Sequence, residues 1–265
     1  MLILALDTTS EWGGAGIFRD DECVATARHQ GPTDYSVSLF QDVDGLLEQA
    51  GISLGNIDLF AASNGPGSFT GIRVGLAAVR GWAQALEKTW RGVSILEAMV
   101  EESRAGTFYA LPVLDARRGE LYGGLYERAV PGAPDGPSKK DPSGTAADVR
   151  FALLGEGALL KPVQVAPFLE NSLGAGNAQG GVGCTVIARE NDVAARDLQQ
   201  LVHPPFEWKT ITPFLVPSIA RLAFRAVKDG RPVLPEEATA CYIRRTDAEL
   251  HLNEHASPRL LKLKI

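Results

Sequence analysis

The feature that most constrains this chain is a unit that occurs twice. Leu2–Asp7 (LILALD) is an apolar run ending in aspartate, and a short polar turn follows it. Residues 14–18 (GAGIF) then read as a returning strand. Tyr109–Asp115 (YALPVLD) repeats the scheme, with 116–119 (ARRG) as its turn and 120–126 (ELYGGLY) as its return. Apolar runs of this length, bounded by turn residues, predict buried strands that pair with a hairpin neighbour. Recurrence of the same strand–Asp–turn–strand unit predicts a duplicated protein of two lobes. Two unrelated hairpins remain the alternative.

Between the two units, 36–49 carries Val37, Phe40, Val43, Leu46 and Leu47 at helical spacing. Residues 56–63 read as a strand, 65–71 as a turn, and 72–86 and 95–102 as helices. That order fits an α/β lobe. Residues 130–145 are rich in Pro and Gly and read as a loop inserted in the second lobe, and 171–183 as a second, Gly-rich loop. A further helix is predicted at 217–228, with Pro217 near its start and Gly230 past its end. Arg221, Arg225 and Lys228 fall on one face of it, read as a solvated surface. The expected division is a first lobe at 1–105, completed by the helix near 217–230, a second lobe at 106–216, and a tail at 231–265.

Composition narrows the function. The net charge of −6 argues against a protein that grips nucleic acid alone by neutralising phosphates. From Pro217 onward, however, nine lysines and arginines face six carboxylates, so that region is locally basic. No apolar run reaches the ~18 residues of a membrane helix. The start has no basic segment and meets Asp7 early, so no signal peptide is expected. Cys23, Cys184 and Cys241 lie far apart without metal-binding spacing, which points to a reducing compartment.

Four segments carry possible chemistry. The turn Asp7-Thr8-Thr9-Ser10 sits where actin-like kinases keep a phosphate loop, in which a glycine two places after the aspartate lets backbone amides approach a phosphate. Here that place is Thr9, and in the second unit Arg117 follows Asp115 at the same spacing. An ordinary polar hairpin turn is the other reading. The run Gly65-Pro66-Gly67-Ser68-Phe69-Thr70-Gly71-Ile72-Arg73 is a Gly-rich strand-to-helix turn. It is neither a Walker loop nor a nucleophile elbow, since Pro66 and Thr70 stand where the elbow needs glycines. The helix it opens carries small residues at Gly71, Gly75, Ala78 and Gly81, and Trp82 beyond them. Such a face admits a close helix neighbour, inside this chain or from a partner. His251-Leu252-Asn253-Glu254-His255 matches HxxEH, a zinc-peptidase pattern. It stands in a charged stretch near Pro258, without an apolar stripe, so chance is preferred. Residues 174–180 do not fit a dinucleotide-binding fingerprint and read as loop.

Several of these motifs resemble one family. ILALDTTS at 3–10, NGPGSFTGIRVGLAAVRGWA at 64–83 and LDARRGELY at 114–122 are similar to the TsaB (YeaZ) family, with GEGA at 155–158 and YIRRTDAEL at 242–250 in support. The resemblance implies an α/β fold of two duplicated lobes, actin-like (ASKHA) and ribonuclease-H-like. It implies a bacterial cytoplasmic, non-catalytic subunit of the machinery that makes N6-threonylcarbamoyladenosine at position 37 of tRNAs reading codons that begin with A. Its implied partners are the catalytic paralogue TsaD, the ATPase TsaE, tRNA indirectly through the complex, and a second copy when TsaD is absent. It implies no resident cofactor, a nucleotide being possible only within the complex. The expected partner interface is Ser36, Phe40, Gly71, Gly75, Ala78 and Trp82. The family-motif residues are Gly65, Pro66, Gly67, Ser68, Phe69, Thr70, Arg73, Asp115 and Arg117. Many relatives carry a histidine where this chain has Tyr35-Ser36. The HxxxH metal pair of TsaD-like members is missing from the first lobe, where His29 is the sole histidine. A metallopeptidase of the M22 type and a small-molecule kinase of the actin-like class are the alternatives.

Overall fold

The computed structural model describes residues 1–32, 34–129, 149–173, 183–192, 197–202 and 206–231, with 233 and 239. The two-lobe expectation is met. The first sheet runs β3-β2-β1-β4-β5, from β1 (Leu2–Asp7), β2 (Gly14–Arg19), β3 (Glu22–Arg28), β4 (Leu59–Gly65) and β5 (Thr89–Ser94). β1, β2 and β3 pair antiparallel, and β1, β4 and β5 pair parallel. The second lobe repeats this around β6 (Tyr109–Asp115). Its order is β10-β7-β6-β11-β12, from β7 (Leu121–Gly123), β10 (Ala158–Leu160), β11 (Cys184–Arg189) and β12 (Phe206–Ile211). β8 (Tyr126–Ala129) pairs with the start of β6 and with β9 (Arg150–Leu153). The two aspartate-ended runs are therefore equivalent central strands.

Among the described residues, five helices of nine residues or more complete the layers. α1 (Tyr35–Ala50) and α2 (Phe69–Leu86) cover the outer face of the first sheet. α3 (Ile95–Ser103) and α5 (Val216–Lys228) fill the space between the sheets, while α4 (Val165–Leu173) covers the outer face of the second. Side chains alternate across a strand. Ile3 and Ala5 of β1 accordingly join the inter-sheet core, and Leu4 and Leu6 join the core under α1 and α2. Both faces are buried, so the strand reads as an unbroken apolar run. α5 packs on β1, β2, β4 and β5, with Gly230 beyond it at φ 68°.

Several boundaries differ from the sequence reading. α2 begins at Phe69, because the Ser68 hydroxyl caps it by accepting from the Gly71 amide at 3.2 Å. Phe69, Thr70 and Gly71 are thus helix rather than turn. The strand read at 56–63 lies at Leu59–Gly65. The return strand read at 120–126 is broken at Gly124 into β7 and β8. Asn171 to Leu173 close α4 instead of opening a loop. The remainder of that loop, the 130–145 stretch, Arg244, Arg245 and the His251/His255 pair lie outside the described residues. The face of Arg221 and Arg225 is no solvated surface. Arg221 pairs with Glu101 at 3.3 Å and Glu102 at 3.1 Å, and Arg225 pairs with Glu101, tying α5 to α3.

Candidate functional site

The first turn is built around Asp7, which is fully buried. Its Oδ1 accepts from the Thr9 amide at 3.0 Å, the Thr9 hydroxyl at 2.6 Å and the Ser63 hydroxyl at 2.9 Å. Buried polar groups need such partners; Thr9 of the turn and Ser63 of β4 supply them to Oδ1, while Oδ2 accepts no hydrogen bond among the described residues. The Ser68 amide, at the mouth of α2, donates to the Thr9 carbonyl at 2.7 Å. Thr8 donates from its hydroxyl to the Gly71 carbonyl at 2.7 Å, and Tyr35 donates from its phenol to the Ser10 carbonyl at 2.9 Å. Of the amides that a phosphate loop would offer to a ligand, that of Thr9 is already bound to Asp7. A Cβ on Gly67 would come within 2.6 Å of the Thr9 Cβ, so this crossing requires glycine.

The second lobe reaches into the same place. Arg189, the last residue of β11, sets Nη2 4.0 Å from Asp7 Oδ2 and donates from Nη1 to the Ser10 hydroxyl at 3.2 Å. Burial pulls the Arg189 guanidinium down from its usual range, while Asp7 and then Asp192 oppose that shift. A cation from one lobe thus stands against the carboxylate of the other. Arg189 was absent from the sequence expectations. Its signal is a charged residue closing the apolar run at 185–189.

The second turn is open. Asp115 is exposed and its Oδ1 accepts from the Arg117 amide at 2.6 Å, while its own amide donates to Asp192 Oδ2 at 2.7 Å. Arg117, Arg118 and Gly119 hold φ of 62°, 57° and 73° in succession. Arginine in the left-handed region costs on the order of 1 kcal/mol, so this turn is held by its hydrogen bonds.

The residues expected at a partner interface separate into two groups. Phe40 lies exposed on α1 and meets half-buried Trp82 of α2 edge-on, with ring centroids 5.8 Å apart. Val37, one helical turn before Phe40, is 63% exposed, and Phe40 is 52% exposed. Ser36 is exposed beside Val37, and Ala78 precedes Trp82 by one turn on α2. Gly71 and Gly75 are a correction. Both are buried against the first turn, where an added Cβ would lie 1.8 Å from the Thr8 carbonyl oxygen and 2.4 Å from Thr8 Oγ1, respectively. Their small size serves packing of α2 on that turn, not a free helix face. Gly75→Leu should therefore lower thermal stability by about 1–3 kcal/mol or more through overpacking. An unchanged melting temperature would put Gly75 back on an open surface.

The remaining motif residues frame this region. The Gly65–Pro66 peptide is cis. Arg73 lays its guanidinium 3.7 Å over the exposed Phe69 ring, and Thr70 is exposed next to it. Among the described residues no cluster of three or more His, Cys, Asp or Glu side chains could hold a metal ion, and no helix is long and apolar enough to cross a membrane.

Residues 33–131, from the start of α1 to just past β8, match the family "TsaD: tRNA N6-adenosine threonylcarbamoyltransferase". The tRNA threonylcarbamoyladenosine biosynthesis protein TsaB of Bacillus subtilis is 32% identical over 127 residues, 48% of this chain and 56% of that protein. The TsaB protein of Escherichia coli is 34% identical over 130 residues, with the same shares. The match spans little more than half the length of these relatives. YeaZ from Pseudomonas aeruginosa superposes with a TM-score of 0.65 at 23% identity, over 91% of this chain and 99% of that one. This chain is thus similar in sequence to TsaB proteins over about half its length, and it shares the fold of YeaZ over nearly the whole of it.

Proposed function

We propose that this chain is the non-catalytic partner subunit of a tRNA threonylcarbamoyladenosine assembly, binding a TsaD-type transferase through α1 and α2. The observation that carries this reading is the exposed Val37–Phe40 pair beside Trp82. An aromatic and a β-branched side chain left in water at one helix face, with a tryptophan under them, have the composition of an interface centre. Ser36 and Ala78 border that centre, and the motif residues 65–73 set the angle of α2. Asp115 and Arg117 lie on the second lobe's turn, available to the same assembly. TsaE joins the assembly, tRNA is met through the complex, and the same face supports a homodimer when TsaD is absent. The setting is the bacterial cytoplasm. The kinase alternative is disfavoured because Thr9 and Arg189 occupy the turn where phosphates would sit.

Reconstitution tests this reading. A TsaD-type transferase, TsaE, the activated threonylcarbamoyl donor and unmodified tRNA should yield modified adenosine only when this chain is added. Equal modification without it, or turnover by this chain alone, would overturn the proposal.

A further inference from the structure

A second concave site lies away from the α1/α2 face. It is a groove of about 720 Å³ between α3, α5 and the β8–β9 ribbon. Six arginines line it: Arg104, Arg128, Arg150, Arg221, Arg225 and Arg231. Four carboxylates line it as well, Asp21, Glu97, Glu101 and Asp229, so the groove carries an excess of two positive charges in a chain of net −6.

The arginines are not equivalent. Arg150 is held by Asp229, with Nη1 2.6 Å from Oδ2, and Arg221 and Arg225 are held by Glu101. Arg104, Arg128 and Arg231 make no side-chain ion pair among the described residues. The backbone of Arg231 is fixed instead, since its carbonyl accepts from the buried Arg91 guanidinium. Val100, Leu222 and the half-buried ring of Phe151 supply an apolar wall in the same groove. Unpaired guanidinium groups match phosphate oxygens in a planar, bidentate manner. An apolar wall with an aromatic ring is the complement of a base. The volume is that of a small-ligand pocket.

We propose that this groove binds a phosphorylated nucleoside, with the base against Phe151 and the phosphate on Arg104, Arg128 and Arg231. The nucleoside is either free or one residue of an RNA chain. The inference does not depend on the proposed function, because it concerns binding by this chain alone.

The test uses the full chain with ADP, followed by calorimetry, and with a short labelled oligoribonucleotide, followed by anisotropy at about 50 mM salt. At least one probe should bind the wild type. The R104E/R128E/R231E variant should weaken that binding roughly tenfold or more. For the oligoribonucleotide, the slope of log affinity against log salt should fall by about 2 for three lost contacts. Competition by ADP against the oligoribonucleotide identifies a single nucleotide as the ligand. RNA binding without ADP binding identifies the chain as its source. R104Q/R231Q, at two exposed positions, is the check if the triple variant melts early, and it should weaken the same probe. Failure of both probes to bind wild type, or unchanged affinity in folded variants, would overturn the inference.

Discussion

Replacing Arg189 with Met is expected to be among the most destabilising single changes in this chain. Arg189 and Asp7 are both buried, they come from different lobes, and they face one another at 4.0 Å. Removing the cation leaves the Asp7 carboxylate in the interior with its charge opposed only by hydroxyl and amide dipoles. Breaking one side of a buried pair costs about 3–5 kcal/mol, because the remaining charge is uncompensated. For a chain of this size that is a fall of roughly 10 °C in melting temperature. The double variant D7N/R189M removes the stranded charge and should recover a large part of the loss. Thermal unfolding of the two variants decides the matter. Equal stability of R189M and wild type would mean that the two lobes are not joined through this pair.

The second large effect is on association rather than stability. Val37 and Phe40 are more than half exposed, so V37D/F40D removes little from the core of the isolated chain. The edge-on contact of Phe40 with Trp82 is worth about 0.5–1.5 kcal/mol, so the melting temperature should fall by only a few degrees. In a docked complex the same positions would place two carboxylates where apolar side chains meet. Truncating one central aromatic anchor typically costs about 2 kcal/mol or more, and an introduced charge adds a desolvation penalty. Binding of a TsaD-type partner should therefore fall by roughly 100-fold. Homodimerisation, if it uses the same face, should fall with it, and the two associations should compete.

The doubled central strand was legible because it is a local signal. β1, β4 and β6 are apolar on both faces and end at turn residues, and no distant residue is needed to see that. α1 was legible from its periodicity, and α5 from Pro217 near its start and Gly230 past its end. The edge strands were not. β3 buries Ala25 alone among its seven residues, and β9 and β10 span four and three. Such segments are fixed by pairing with a neighbour, which a local window does not contain. Gly71 and Gly75 show a different failure. Helical spacing revealed a stripe of small residues but not which side it faced. Ile72, Leu76, Val79 and Ala83 form the buried stripe of α2, and each glycine sits one position before a member of it. Attention to that neighbouring stripe would have turned both glycines inward. The Asp7–Arg189 pair and the arginine groove were invisible for a plainer reason. Their members lie far apart in sequence and meet only when the lobes and the α3–α5 layer assemble.

A direct binding titration tests whether α1 and α2 present the face that a TsaD-type partner meets. A purified TsaD-type transferase is titrated with wild type and with V37D/F40D, each first shown to be folded by a cooperative melting transition. Wild type should bind saturably, and the variant should bind roughly 100-fold more weakly. Equal affinity of the two proteins would contradict it and place the partner on another surface.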